Sequence, residues 1–460
     1  MDSVPQLSTD EPLRVSGTVP KGIGRTNSLL RASVAALPAL SKLIPIGYSF
    51  ADQVLAVGAN FLANVVLART QTKEQYGMFA LSYSIFTFLS GLHNSAIVEP
   101  YTVYGSGRYR DRFSAYLRLM VRMNAWFGFL LTILVLLVCL GLHWVAPQIV
   151  SPALLGLGVT VGILLSGIFM RRVFYLQRKA TFAAQASLIS FVTVAGALWF
   201  VARAHLLNGF SVFLILALGW IAAGLSLKKK LALGPSVQPF LDSEPGYWSE
   251  HWKYSKWVLS SAFVFQLTAQ GYYWIVAGFL SVKEVAELRV MQLLVAPIDQ
   301  VFIALSFLII PALAAKYSNN QLSGFLSFSK RYALGVVSVT ALFALAVRLM
   351  GRPVMHLLYA GKFDDLAPML YILAFLPLTM ALGNVMGYAL VAAEKPKFVF
   401  YSYVCSGAAT LLGGISLVIH FGVRGAVFGL LLSAASYTGA MALGFFFNFC
   451  RQPSLLGVPE

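Results

Sequence analysis

Charged residues are scarce in this chain: Asp, Glu, Lys and Arg together make up 11% of it, against about a quarter of a typical soluble domain. Hydrophobic types reach 58%, so a water-soluble fold would lack the polar surface to cover itself. Cysteine is scarce too. Cys139, Cys405 and Cys450 are scattered, without the spacing of a disulfide framework or a metal site, and they read as packing residues. There is no Gly-x-x-x-x-Gly-Lys-Ser/Thr loop, which argues against ATP hydrolysis, and no His-Glu-x-x-His pair for zinc. No catalytic residue, metal ligand or cofactor is assigned. The expected outer loops are short, which argues against an enzyme that joins sugars at a membrane. Asp364-Asp365 beside Lys362 form the one acidic pair such an enzyme would use, and a solvated loop accounts for them equally well.

What the chain does have is long apolar runs, recurring from about residue 46 to residue 447. Each is close to the roughly 20 residues that cross the hydrocarbon as a helix. They are continuous rather than alternating, unlike the strands of a membrane β-barrel. Helices are expected near 46–69, 76–104, 122–146, 150–175, 180–203 and 205–227, then near 254–281, 285–315, 331–351, 366–393, 397–420 and 423–447. The fold class is therefore all-α: a polytopic membrane protein with about 12 transmembrane helices in two six-helix bundles. The expected divisions are a partly disordered tail at 1–45, bundles at 46–227 and 254–447, a linker at 228–253 and a second tail at 448–460. Leu29–Ile44, interrupted by Pro38, reads as a short helix on the membrane surface.

The net charge is +17. Nucleic acid is not the expected partner, because basic residues of membrane proteins collect in cytoplasmic loops. With twelve crossings, 25 of the 34 Lys and Arg fall on one side and nine on the other. Both termini are thus expected in the cytoplasm. The basic clusters Arg108–Arg122 and Arg171–Lys179 suit anionic lipid head groups. Arg110–Asn124 reads as amphipathic and is expected on the inner membrane surface. The two halves also share weak repeats. Lys73-Glu74 matches Lys283-Glu284 at an offset of 210, and Pro100 matches Pro311 at 211. Transporters often carry such repeats, with the substrate path between them.

Polar groups inside a bilayer are costly and usually face a bundle interior or cavity. Asp52, Ala56, Asn60 and Asn64 step by four along the first helix, and Gln266, Gln270 and Tyr273 share a face of the seventh. They predict a hydrated cavity between the halves; helix-to-helix hydrogen bonding is the competing explanation. His93 and Asn94 in the second helix join the cavity set. Asp299, Asp52 and Glu99 are candidates to couple a cation: Asp299, roughly mid-helix, is expected to be the better buried, while Asp52 and Glu99 lie near helix ends and are expected to be partly solvated. Arg289 and Arg69, near the outer ends of their helices, are candidates for phosphate, whose geometry a guanidinium matches. Pro100, Pro297 and Pro311 should loosen their helices.

Several runs carry a family resemblance. Ala51-Asp52-Gln53-Val54-Leu55, Leu67-Ala68-Arg69 and Glu74-Gln75-Tyr76-Gly77 resemble the first two helices of polysaccharide flippases in the multidrug/oligosaccharidyl-lipid/polysaccharide exporter superfamily. Gly91-Leu92-His93-Asn94 with Glu99-Pro100, Arg171-Arg172-Val173-Phe174-Tyr175, Leu358-Tyr359-Ala360-Gly361-Lys362, Ala393-Glu394-Lys395-Pro396-Lys397 and Gly422-Val423-Arg424-Gly425-Ala426 are similar to later segments. The resemblance implies two bundles that alternate access and a cargo of polyprenyl-diphosphate-linked oligosaccharide. It also implies coupling to an ion gradient or membrane potential, and cationic residues in the cavity to meet the diphosphate. The sequence departs from the last point, with no Arg or Lys firmly in the middle of the first, second or seventh helix. The expected function is a flippase of a bacterial inner membrane, with membrane lipids, a polysaccharide polymerase and export machinery as further partners. The alternatives are a cation-coupled multidrug exporter of the same superfamily and a polysaccharide polymerase or ligase.

Overall fold

The computed structural model describes residues 26–145, 150–231, 247–319 and 321–449. The expected tail before residue 26, most of the central linker, Cys450 and Arg451 lie outside the described residues. Among the described residues there is no strand. The first half contains α1 (Thr26–Thr70), α2 (Lys73–His93), α3 (Glu99–Ser106), α4 (Phe113–Val145), α5 (Pro152–Leu176), α6 (Ala180–Arg203) and α7 (Gly209–Leu227). The second contains α8 (Tyr247–Phe279), α9 (Val282–Val295), α10 (Pro297–Ser318), α11 (Leu322–Tyr359), α12 (Ala367–Leu373), α13 (Leu376–Ala392), α14 (Pro396–Ala409) and α15 (Ile415–Phe449).

These helices make twelve crossings in two halves of six. The second crossing is α2 and α3 joined by a π turn at Asn94–Val98, and the eighth is α9 and α10 joined at Ala296. The tenth is α12 with α13. A second π turn, Thr410–Gly414, extends α14, and Gly422 (φ 61°) breaks α15 between the last two crossings. α1 begins at Thr26, so residues 29–44 continue into the first crossing instead of forming a separate surface helix. α8 likewise begins at Tyr247, earlier than expected.

Lipid exposure is written on the surface. Along α4, Trp126, Leu130, Leu134 and Leu137 are exposed at one-turn intervals. Such a patch on a soluble protein would mark an interaction site; here it is the face that meets acyl chains. The other face of α4 corrects an expectation. Tyr116, Leu117 and Met120, expected on the membrane surface, are fully buried against Ile97, Val98, Tyr101 and Phe169. Amphipathicity fixed which side of this segment is apolar but not what covers it.

The repeat has a physical counterpart. Thr72 accepts from the Gln75 amide to cap α2, and Ser281 accepts from the Lys283 amide to cap α9. The two capped ends meet across the seam. A β-carbon added at Gly77 would lie 1.7 Å from the Val282 carbonyl oxygen, so glycine is what lets the backbones touch. The halves diverge further on. Pro100 follows a π turn, whereas Pro311 sits inside α10. Gly77→Ala is expected to force α2 and α9 apart and destabilise the protein by about 1–3 kcal/mol, the usual cost of overpacking. Thermal unfolding in detergent checks this, with Gly271→Ala, where a β-carbon meets nothing within 4 Å, as the neutral control.

Candidate functional site

The polar stripe of α1 explains its own geometry. The Asn60 amide Nδ2 donates to the Ala56 carbonyl (3.0 Å) and the Asn64 Nδ2 donates to the Asn60 carbonyl (2.8 Å). Each amide nitrogen is thus used inside the helix, which leaves the Asn64 Oδ1 pointing outward as an acceptor. Two donors reach it: the Tyr76 hydroxyl at 3.3 Å and the Arg289 Nε at 3.2 Å. Arg289 also donates from Nη1 to the Tyr273 hydroxyl (3.2 Å). Its guanidinium carbon lies 4.7 Å from the Tyr83 ring centre and 5.8 Å from that of Tyr273, within cation–π range. Asn64, Tyr76 and Tyr83 belong to the first half, Tyr273 and Arg289 to the second. Among the described residues, no carboxylate pairs with Arg289.

Beside this node one end of the seam is closed. Lys73 and Glu287 form an ion pair across it at 3.0 Å. Lys362 donates to the carbonyls of Ala68 (3.1 Å), Arg69 (3.1 Å) and Gln71 (2.6 Å), three of the orphan acceptors at the end of α1. Burial, and then the neighbouring Lys73 ammonium, make Lys362 less basic than a free lysine. Arg69 donates to the Leu357 carbonyl at 3.3 Å.

Toward the opposite, linker end the described residues give a different set of bridges. Gln53 donates to the Gln300 side chain (2.7 Å). Pro100 has no amide hydrogen, so the Ala96 carbonyl four residues earlier is freed; the His251 Nε2 of the other half donates to it at 3.2 Å. Farther along the seam, the Trp274 indole donates to the Ser84 hydroxyl (2.9 Å). A β-carbon at Gly91 would lie 2.0 Å from the Gln266 amide nitrogen, so Gly91 makes room for Gln266.

The sequence-derived candidates separate into groups. Asn64, Tyr273 and Arg289 come together. Asn60, Asn94, Gln266 and Gln270 are half-buried. His93 does not reach the seam: it is fully buried in the first half, with Nε2 2.8 Å from the Asn124 Oδ1, and Asn124 in turn donates to Ser166. Asp52 is also fully buried rather than partly solvated, and its carboxylate is saturated. It accepts from Arg171 (Nη2 at 2.6 Å, Nε at 2.9 Å), the Tyr175 hydroxyl (2.6 Å) and the Ser187 hydroxyl. Glu99 is half-buried, within electrostatic reach of Arg172. Asp299, expected mid-helix and buried, is instead exposed in the first turn of α10, because the eighth crossing breaks at Ala296 just before it, and Arg69 is exposed at the closed end.

Four participants were missed: Tyr76, Tyr83, Lys362 and Glu287. Tyr76 and Tyr83, seven residues apart on α2, carried a usable signal, because that spacing places both on one face. Lys362 and Glu287 carried none, since charged loop residues usually face water.

No sequence family model matches the chain, and no curated protein matches it. Solved structures do. A multidrug resistance transporter of the MATE family and MOP superfamily, in its inward-facing conformation, superposes with a TM-score of 0.74 at 11% identity. The match covers 89% of this chain and 96% of that one. The outward-facing conformation of a MATE family transporter gives 0.62 at 13% identity, covering 90% and 95%. A MOP superfamily transporter from Pyrococcus furiosus, described as having a binding pocket of reverse polarity, gives 0.59 at 12% identity, with 90% and 95% covered. The chain therefore has the fold of these transporters.

Lys362→Met should loosen the closed end. In a background lacking Cys139, Cys405 and Cys450, labelling of Asn60→Cys by an aqueous thiol reagent added from the Lys362 side is expected to rise roughly fivefold. About 1 kcal/mol shifts a two-state population by that much.

Proposed function

We propose that the protein is a transporter that flips a polyprenyl-diphosphate-linked oligosaccharide across a bacterial inner membrane by alternating access at the seam. The observation that carries this reading is Arg289, a cation in the seam with no carboxylate partner among the described residues. A diphosphate supplies the missing countercharge and matches the guanidinium fork. A cationic drug would be repelled. The exporter reading needs an open carboxylate; the exposed Asp299 is ten residues away, about 15 Å along the helix axis.

A sugar head group cannot enter hydrocarbon without losing its hydrogen bonds to water. Asn60, Asn64, Asn94, Gln266, Gln270 and Tyr273 offer replacement partners along the seam, while the polyprenyl tail stays in the bilayer. We assign His93 to packing within the first half, and Asp52 with Arg171 to anchoring α1 on α5. Asp299 is left as the carboxylate for coupling to a cation, with Glu99 a second candidate beside Arg172. Arg69 is placed for a later phosphate contact. No covalent step is involved, and a polymerase and export machinery would take the product onward.

The excess of Lys and Arg on the linker side supports a cytoplasmic location for that side and for both termini. The closed Lys362 end then faces outward, a state in keeping with the higher TM-score to an inward-facing transporter. Arg289 gives the cargo a way to open this end. The donor it directs at Asn64 joins the halves; an anion that captures it loosens the seam. Cargo binding thereby favours the state in which that clamp is absent, as differential affinity requires.

The test is flipping of a fluorescent diphosphate-linked oligosaccharide lipid in proteoliposomes. Arg289→Gln should slow it roughly tenfold to a hundredfold, the range for losing a charge-assisted hydrogen bond. Asn64→Asp should also slow it, while raising the thermal midpoint, by placing a fixed anion against Arg289. Wild-type flipping by Arg289→Gln, or export of cationic dyes in place of lipid flipping, would falsify the reading.

A further inference from the structure

Away from the seam, the first half carries a cavity of about 600 Å³ at the linker end. It lies where α3 ends, α4 begins and α5 ends, so it sits at head-group depth. Its polar wall includes Arg110, Arg178, Lys179 and Gln177; its apolar wall includes Phe113 and Leu176. No carboxylate lines it.

The cations here differ from a self-neutralised surface patch. Neither Arg110 nor Arg178 has a side-chain partner among the described residues. Lys179 donates to the Lys230 carbonyl at 3.4 Å and lies 6.0 Å from the Phe182 ring centre, with no carboxylate paired to it among the described residues. Gln177 uses its Nε2 on the Leu231 carbonyl (2.8 Å), yet its Oε1 is buried with no donor. A buried acceptor without a donor is rare and calls for one. The first turn of α4 adds the partial positive charge of a helix N-terminus. The cavity therefore offers three cationic groups, one waiting acceptor and an apolar wall, at the level where lipid phosphates lie.

We propose that this cavity binds the phosphate of an anionic phospholipid with a hydroxyl-bearing head group, of the phosphatidylglycerol type, from the leaflet on the linker side. The phosphate lies among Arg110, Arg178 and Lys179, and a head-group hydroxyl donates to the Gln177 Oε1. The acyl chains leave past Phe113 and Leu176 into the bilayer. A polybasic site at this depth gains from the phosphate charge of its own leaflet. A zwitterionic lipid brings an ammonium that the cations repel. The inference needs only that the chain spans a membrane, and it is independent of the cargo.

The test uses the full chain in detergent and in nanodiscs. Native mass spectrometry would count retained lipids from equal mixtures of phosphatidylglycerol and phosphatidylcholine. At least tenfold enrichment of phosphatidylglycerol is expected, and equal retention would overturn the proposal. Soluble glycerol phosphate and inorganic pyrophosphate, competed against the lipid, separate a lipid site from a free-anion site. Displacement at concentrations comparable to the lipid would overturn the lipid assignment, and failure to displace supports it. Arg178 has a left-handed backbone (φ 57°) that glycine adopts without strain. Arg178→Gly is thus expected to fold and to lose most of the enrichment when combined with Arg110→Gln. Enrichment unchanged in the folded double variant would reject the site, and the wild-type lipid count decides the question without any variant.

Discussion

Taking a guanidinium out of water costs several kcal/mol even after the protein relaxes around it, and arginine cannot shed its proton to escape that cost. Arg289 meets the constraint with neutral partners alone: one amide oxygen, one hydroxyl and two aromatic faces. Those partners come from both halves of the molecule. The residue therefore stitches the seam together and keeps an electrostatic demand that only an anion meets in full. Much of the surrounding structure follows from this arrangement. Asn64 must present its oxygen, so its nitrogen is turned into α1. The seam must be tight there, so Gly77 lets α2 touch α9.

Other charges along the seam and inside the first half are neutralised locally. Asp52 is paired with Arg171 inside the first half, and Lys73 with Glu287 across the closed end. Lys362 replaces a carboxylate partner with three backbone carbonyls at a helix terminus, whose dipole favours a cation. The contrast makes Arg289 informative: Asp52 and the half-buried Lys73 and Glu287 are paired, whereas the half-buried Arg289 has no carboxylate partner among the described residues.

One helix irregularity sits on the same seam. Proline at position 100 cannot donate, so the chain takes a π turn before it and passes the freed Ala96 carbonyl to His251 of the other half. A backbone defect in one half thus becomes a contact with the other. Contacts made by single hydrogen bonds, such as Gln53 with Gln300, are individually worth little, so each can be exchanged at modest cost. The dense packing near Gly77 favours discrete closed or open states over gradual ones.

The sequence by itself determined an all-helical chain with about twelve crossings in two halves and the polar stripes of α1 and α8, but not the helix limits: α1 begins about twenty residues before the expected start and α11 extends past both of its expected ends. These depend on local properties: apolar length against bilayer thickness, and polarity at helical spacing. It also singled out Arg289, Asn64 and Tyr273, because a polar group in an apolar run is conspicuous in one dimension. Only the tertiary structure decided what those groups face. His93 and Asn94 are neighbours in sequence, yet the first is sealed in its own half and the second is half-exposed. Asp52 and Asp299 look alike as membrane carboxylates, but Arg171, distant by over a hundred residues, saturates one and leaves the other open. Tyr116 and Leu117 are apolar for a surface helix or a core alike, and the choice fell to α3 and α5 packed over them. Periodicity states which face of a helix avoids water, whereas the partner on that face is set by chain distant in sequence.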